Sequence, residues 1–301
     1  MRVMKMHRRP LRLLAAFALV SAQLFLGHPQ SALAGTGDLV ADVVTNEGGG
    51  LLWPTAISPS VAFDGQYLYY TNYAGSVLHR IDVPPVGAGP SPATGIVDIP
   101  ITGAMSGIMT LAWDSGRGLF WAVSGDGSAI YQLTRTGIAT QIFRIGPADR
   151  PGFQTGPFPV ETKITYDRGD DTIWYSPDAT SRIYHYTTTP TMLGTATLAP
   201  TPYVDVDVTA QCGFNQASGV GTGGSSLFVT VTGCPFIFEY SKTGAQLAFY
   251  PINYAGAQST QQPACDNLSY AVPVFWIKDG YASRIRAFEQ PAGTPCVYGG
   301  G

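Results

Sequence analysis

One unit is written five times along this chain, and that repetition constrains the fold more than any single residue does. Ser76-Val-Leu-His-Arg-Ile81, Ser128-Ala-Ile-Tyr-Gln-Leu133, Ser181-Arg-Ile-Tyr-His-Tyr186 and Ser283-Arg-Ile-Arg-Ala-Phe288 match position by position. A fifth copy, Pro235-Phe-Ile-Phe-Glu-Tyr240, lacks the serine. The anchors Leu78, Ile130, Ile183, Ile237 and Ile285 are separated by 52, 53, 54 and 48 residues. A second aromatic run precedes each anchor: Tyr67–Tyr70, Leu119–Trp121, Ile173–Tyr175, Leu227–Val229 and Val274–Trp276. Phe63-Asp64, Trp113-Asp114 and Tyr166-Asp167 open a turn before the first three of these runs. Units four and five carry Gly221–Gly224 and Ala271–Pro273 there instead. Repeats of this length bury their apolar faces only by stacking on one another.

Within a unit the pattern reads as four short strands bounded by turns. In the second unit these are Ile108–Trp113, Leu119–Val123, Ala129–Leu133 and Thr140–Ile145. The middle strands are apolar on both faces, as strands are when both faces are covered. Four-stranded sheets stacked face to face around an axis meet that demand, so the expected fold is an all-β propeller. Five blades fit between Ala56 and Phe288, and a sixth would have to be degenerate. The last unit lacks a good fourth strand, with Cys296–Tyr298 a weak candidate. Leu39–Val44 is a better one, and we expect it to complete the last blade and close the ring, removing a free sheet edge.

The first 34 residues read as a secretory signal peptide: Arg2, Lys5, Arg8, Arg9 and Arg12, an apolar run Leu13–Leu26, then Ala32-Leu33-Ala34. The apolar run falls short of the roughly 20 residues of a membrane span. No second run of spanning length follows. The expected organisation is a signal over 1–34 and one propeller domain over 35–301, secreted or extracytoplasmic. The mature part holds 12 Lys+Arg against 20 Asp+Glu, a net charge of −8. Such a surface argues against nucleic acid, whose affinity rests on phosphate contacts by Lys and Arg. Four cysteines, Cys212, Cys234, Cys265 and Cys296, follow the signal. An even count in an exported chain reads as two disulfides.

Units such as Trp113–Trp121 followed by Ser128–Leu133 resemble the blades of the broad NHL, streptogramin-lyase and SMP-30/gluconolactonase group of propellers. Blade motifs report the fold, and fold alone does not assign function.

Of four histidines, His7 and His28 lie in the signal, and His79 and His185 sit on the repeated third strand, where packing or surface roles suit them. Arg168-Gly169-Asp170 occupies the first turn of unit three, where turn chemistry accounts for it. Asn267-Leu-Ser269 is a glycosylation sequon. Gly221–Gly224 is a hairpin turn, since no lysine or helix follows it.

Segments leading into the first strands should gather at one mouth of the central channel. They hold Met105 and Met109, Glu161 and Lys163, Asn215 and Gln216, and Asp266 and Asn267. Oxygen donors of this kind suit Ca²⁺ or Mg²⁺. The resemblance to SMP-30-like lactonases implies that Glu161, Asn215 and Asn267 would be ligands, with Asp266 a ligand or general base. Nothing in the first two units matches. The alternative is that these residues bond inner-strand backbone. The same geometry puts Cys212 and Cys234 on one face, so Cys212–Cys234 and Cys265–Cys296 are the expected pairs.

Two functions follow. One is a binding module for a glycan, peptide or protein, with Trp53 or Tyr281 as aromatic contacts. The other is a metal-dependent hydrolase or lactonase. A two-carboxylate glycosidase using Glu161 with Asp266 ranks last. Asp114 recurs as Asp64 and Asp167, and Asp126 as Asp178 and Asp279, so these aspartates are expected to serve blade corners.

Overall fold

The computed structural model describes residues 35–45, 59–87, 89–150, 161–178, 180–190, 194–254, 260–280 and 282–299. The signal segment, Trp53 and Tyr281 lie outside the described residues. The first strand, β1 (Leu39–Val44), precedes all five blades in the chain. Blade one comprises β2 (Ala62–Phe63), β3 (Tyr67–Thr71), β4 (Val77–Asp82) and, after a detour through β5 (Pro90–Pro92), β6 (Val97–Pro100). Blade two is β7 (Ile108–Asp114), β8 (Leu119–Ser124), β9 (Ala129–Leu133) and β10 (Ala139–Arg144). Blade three is β11 (Lys163–Asp167), β12 (Thr172–Ser176), β13 (Arg182–Thr187) and, after β14 (Gly194–Thr195), β15 (Leu198–Asp205). Blade four is β16 (Gly219–Gly223), β17 (Ser226–Thr230), β18 (Phe236–Ser241) and β19 (Gln246–Pro251). Blade five is β20 (Thr260–Asp266), β21 (Val274–Asp279), β22 (Arg284–Glu289) and β1.

The fold is therefore the five-bladed propeller expected, closed by its N-terminal strand. The inner strands β2, β7, β11, β16 and β20 each touch the next, and β20 touches β2, so they line a closed channel. β1 runs antiparallel to β22, with Val43 opposite Ile285. Its other edge is covered too: β5, looped out of blade one, pairs parallel to it. β14 from blade three likewise adds a parallel fifth strand to blade two. The ring closure thus rests on a strand held from both sides, and β1 presents no free edge.

The middle strands are buried on both faces because blades stack on blades. Every residue of β12, β17 and β21 is buried. One core lies between blades one and two, where the Tyr69 and Phe120 rings sit 4.9 Å apart. Others join blades two and three around Trp121, Ile173 and Tyr175, and three and four around Trp174, Val204 and Leu227. Phe228 meets Phe275 at 5.1 Å between blades four and five. Each such large side chain contributes on the order of 2–3 kcal/mol of hydrophobic stabilisation.

The repeated aspartates lock the hairpin between first and second strands. Asp114 accepts from the Trp121 indole (3.1 Å) and from the backbone N–H groups of Gly116 and Arg117. Asp167 accepts from Trp174 Nε1 and from Gly169 N–H. Asp266 does the same with Trp276 Nε1 (2.8 Å) and the N–H groups of Leu268 and Ser269. Blade five therefore keeps its corner aspartate, contrary to the sequence reading. Its hairpin, residues 267–273, is longer than the four-residue hairpins of blades two and three, which shifts the aspartate out of register with the repeat. In blade four the equivalent position is Gly223, opposite Ser226. A Cβ there would lie 2.5 Å from Cys296 Cα, so the C-terminal segment takes the place of the missing side chain.

Both expected disulfides form, with Cα–Cα distances of 5.4 Å for Cys212–Cys234 and 5.1 Å for Cys265–Cys296. These lie in the ordinary range for such bonds. Among the described residues no helix is long and apolar enough to cross a membrane.

Candidate functional site

The hairpins between second and third strands, together with the starts of the inner strands, define the upper mouth of the channel. The hairpins between first and second strands define the lower one. Four residues expected at one place are divided between these ends. Glu161 stands two residues before β11, at the upper end. Asp266 is the last residue of β20, at the lower end, and its carboxylate is taken up by Trp276 and the hairpin backbone. Asn267 follows it there, and its Oδ1 accepts from the Tyr298 backbone N–H (2.9 Å). Asn215 Oδ1 accepts from Val208 N–H (3.3 Å), stabilising the turn that carries Cys212. The structure does not bring Glu161, Asn215, Asp266 and Asn267 together. Placing Asp266 in a segment leading into blade five was an error of register: it ends the inner strand rather than preceding it.

A different group does meet at the upper mouth. Lys163, fully buried, donates from Nζ to the Glu161 carbonyl (2.7 Å) and to Glu161 Oε2 (3.2 Å), with Asp178 Oδ2 at 3.8 Å. Gln216 Nε2 donates to the Asp178 carbonyl and to its Oδ1 (3.1 Å). Local structure brings them together. The inner strand starts at Lys163, so Glu161 lies two residues upstream, where backbone and carboxylate both reach the same ammonium. Asp178 sits in the hairpin after β12 with φ of 63°, a left-handed conformation that Asp tolerates better than most residues. Ser176 Oγ fixes that hairpin by accepting from Asp178 N–H (3.2 Å) and donating to the Ala217 carbonyl (2.5 Å).

Burial pushes both carboxyls up: Glu161 rises against the pull of Lys163, and Asp178 rises for the same reason. Lys278, also buried, contributes to the field at Glu161 and donates to Thr45 Oγ1 (3.2 Å). Tyr73, half-buried, is pushed up to about 12 by burial and by the nearby charges of Glu161 and Asp126. Asp126 behaves oppositely. Burial opposes its ionisation, but hydrogen bonds from Ser124 and Ser128 hold its carboxyl below the ordinary range. The upper mouth therefore sets the carboxyls of Glu161, Asp178 and Asp126 beside the half-buried Tyr73, with the buried Lys163 and Lys278 close by.

A divalent ion does not fit this set. The ammonium of Lys163 lies between the two carboxylates, and the amide and carboxylate expected to complete a shell are bonded elsewhere. Among the described residues no three His, Cys, Asp or Glu side chains are grouped to hold a metal.

Sequence reasoning found Glu161, Lys163 and Gln216 but set Asp178 aside as a repeated corner. The available signal was that Asp178 is preceded by Ser176 and Pro177, whereas Asp126 stands between glycines. Met109 is buried, its Sδ accepting from Thr162 N–H, while Met105 is fully exposed. His185 stacks on Trp174 at 3.7 Å, and its Nδ1 donates to the Thr201 carbonyl. Burial lowers its proton affinity. His79 stacks on Tyr70 and pairs with Asp98 at 2.8 Å on the surface.

The lower mouth is stoppered. Past β22 the chain crosses under the channel, and Tyr298 settles against blade one with its ring edge-on to Phe63. Above it remains a cavity of about 50 Å³ lined by Val61, Ala112, Thr165, Thr222, Gln262 and Val297, among others. That is room for a few waters at most.

No family model matches the sequence, and no curated protein matches it. Solved structures do. Virginiamycin B lyase from Staphylococcus aureus aligns at 16% identity and TM-score 0.43, covering 78% of this chain and 66% of the lyase. The chain thus spans about two-thirds of the lyase's length. Glutaminyl cyclase from Myxococcus xanthus aligns at 7% identity and TM-score 0.50, covering 85% of this chain and 98% of the cyclase. The calcium-binding protein regucalcin from Agrobacterium tumefaciens aligns at 13% identity and TM-score 0.46, covering 86% and 98%. The resemblance to the lyase and SMP-30-like propellers is met at the level of fold. At these identities it extends no further.

Proposed function

We propose that this chain is an extracytoplasmic binding propeller whose ligand docks at the upper mouth, over Tyr73 and Asp178. The observation that carries this reading is the asymmetry of the two mouths. One is filled by the chain's own C-terminus, while the other gathers Glu161, Lys163, Asp178, Gln216 and Tyr73. The partly exposed acidic rim suits a hydroxyl-rich or cationic ligand, such as a glycan or a basic peptide. Two disulfides and the basic-apolar leader support an exported protein. Glycan and peptide arrays probed with the wild-type chain and with Tyr73→Ala test the proposal. A ligand held at least ten-fold more weakly by Tyr73→Ala, with an unchanged melting temperature, is the expected result. A ligand whose binding ignores both Tyr73→Ala and Asp178→Asn overturns it.

One observation favours a second reading, a hydrolase. The raised carboxyl of Glu161, beside Asp178, is what a general acid needs. In its metal-dependent lactonase form this reading calls on Glu161, Asn215 and Asp266 around Ca²⁺ or Mg²⁺, and those residues stand apart. Lactone hydrolysis that depends on added calcium and disappears in Glu161→Gln would replace the binding proposal.

A further inference from the structure

The stopper in the lower mouth has the chemistry of a bound ligand. Tyr298, partly exposed, is held at its hydroxyl, its ring and its backbone. Its hydroxyl accepts from Trp113 Nε1 (2.9 Å) and donates to the Asp64 carbonyl (2.6 Å). Its ring meets Phe63 edge-on at 5.6 Å. Its backbone N–H donates to Asn267 Oδ1. Gly65 leaves room for the phenol, because a Cβ there would stand 2.8 Å from Tyr298 Cζ.

The surrounding residues are kept in place independently of the tail. Trp113 is packed against Phe120 at 5.0 Å and carries the Arg135 guanidinium over its ring at 4.5 Å. Asp64 is fixed by the N–H groups of Gln66 and Tyr67. Donor, acceptor and aromatic wall therefore belong to blades one and two, whereas the phenol arrives from the far end of the chain. Gln262 adds a polar atom to the cavity above: its Nε2 donates to the Leu111 carbonyl, while its Oε1, buried, has no partner. Bidentate recognition of a hydroxyl, with one donor and one acceptor, separates tyrosine from phenylalanine because an empty slot would leave both groups unpaired.

The tail is also tied down. Cys296 is fully buried and bonded to Cys265 on the inner strand β20. Intramolecular attachment of this kind keeps the phenol at a high effective concentration. We propose that the lower mouth is a binding pocket for a tyrosyl residue on an extended peptide, held shut in cis by the chain's own Tyr298 under the Cys265–Cys296 disulfide. Its ligand class is a tyrosine-bearing chain segment, and a phenylalanine-bearing one is rejected.

The test uses the full chain carrying C265S, C296S and Y298A, which removes both the latch and the phenol. The probe is a synthetic peptide copying residues 293–299 with serine at the cysteine. Binding is followed by the indole N–H resonance of Trp113. The tyrosine peptide should bind, a peptide with phenylalanine in its place at least ten-fold more weakly, and the wild-type chain should bind neither. Equal binding of the two peptides, or no binding by a variant whose circular dichroism is native, overturns the proposal. If the triple variant does not fold, the single variant Y298A, with its disulfide intact, decides. There p-cresol should raise the melting temperature and restore the Trp113 resonance, while toluene should not. Equal effects of p-cresol and toluene, or none from either, count against the pocket.

Discussion

At the residue scale, Lys163 is the side chain on which the upper mouth depends most. Its ammonium faces two carboxylates that burial drives toward the neutral form. Removing one partner of a buried ionic group is strongly destabilising, by roughly 3–5 kcal/mol. Lys163→Met should therefore lower the unfolding free energy by about that much at pH 7, measured by chemical denaturation. The pH dependence has a definite sign. A carboxyl whose folded pKa is raised destabilises the fold above its unfolded pKa, and that penalty is relieved as pH falls toward the unfolded value. Without Lys163 the penalty grows, so the gap between Lys163→Met and wild type should narrow from pH 7 to pH 5. A gap that is constant with pH would mean the lysine acts through packing alone. Glu161 and Lys163 could be picked from the sequence because they break the repeat. Asp178 is harder to pick, because it obeys the repeat in position while departing from it in its contacts, and only the Ser176-Pro177 before it sets it apart from Asp126. Periodicity reports where a residue lies in a blade, not which neighbour a hairpin turns it toward.

At the element scale, the aspartate at the end of an inner strand and the tryptophan on the next strand form one device, used in blades two, three and five. Each aspartate accepts an indole N–H together with backbone N–H groups. Asp266→Ala should destabilise the chain by about 1–3 kcal/mol through the unpaired donors it leaves. Asp114→Ala should do the same, and neither should alter binding at the upper mouth, which opens on the other face. Thermal melts and a binding assay on the two variants together check this. Loss of activity in Asp266→Ala with unchanged stability would instead return Asp266 to a catalytic role. Blades two and three were legible in the sequence because their first hairpins share one length, and blade one because its Phe63-Asp64 pair opens a turn only two residues shorter. Blade five was not, since three extra hairpin residues displaced its aspartate. The added strands β5 and β14 were invisible for another reason. Pro90-Ser-Pro92 and Gly194-Thr195 have little strand propensity, and only the neighbouring edge makes them strands. β1 depends on the same kind of edge pairing. Val43→Asp buries a charge between β22 and β5, and it should abolish hydrogen-exchange protection of residues 284–289 before that of any blade from two to four.

At the scale of the whole molecule, the ring is closed twice. β1 joins the outer part of blade five, and the C-terminal segment ties the inner strands from below. That segment reaches every blade: Cys265 and Asn267 in five, the glycines at 223 and 224 in four, Phe63 and Asp64 in one, and Trp113 in two. Beyond Tyr298, a Cβ on Gly299 would come within 2.8 Å of Ser115 Oγ and 3.7 Å of Arg168 Nη1, which adds blade three. Loop-closure entropy alone treats the two disulfides as near equals. Their separations of 22 and 31 residues give about 3–4 kcal/mol each. The architecture separates them. Cys212–Cys234 staples a loop to a hairpin within blade four, and its loss leaves the inner ring untouched. Cys265–Cys296 anchors the segment on which all five inner strands converge, so its loss adds to the entropic term whatever fraction of the Tyr298 and Pro295 contacts is lost with it. C265S/C296S should therefore lower the unfolding free energy more than C212S/C234S does, by about 1 kcal/mol or more given ~1 kcal/mol for each net hydrogen bond released. Denaturant melts of the two double variants under identical conditions measure the difference. Equal losses would show that the tail is held by its tyrosine alone, with the disulfide adding only the closure of its own loop.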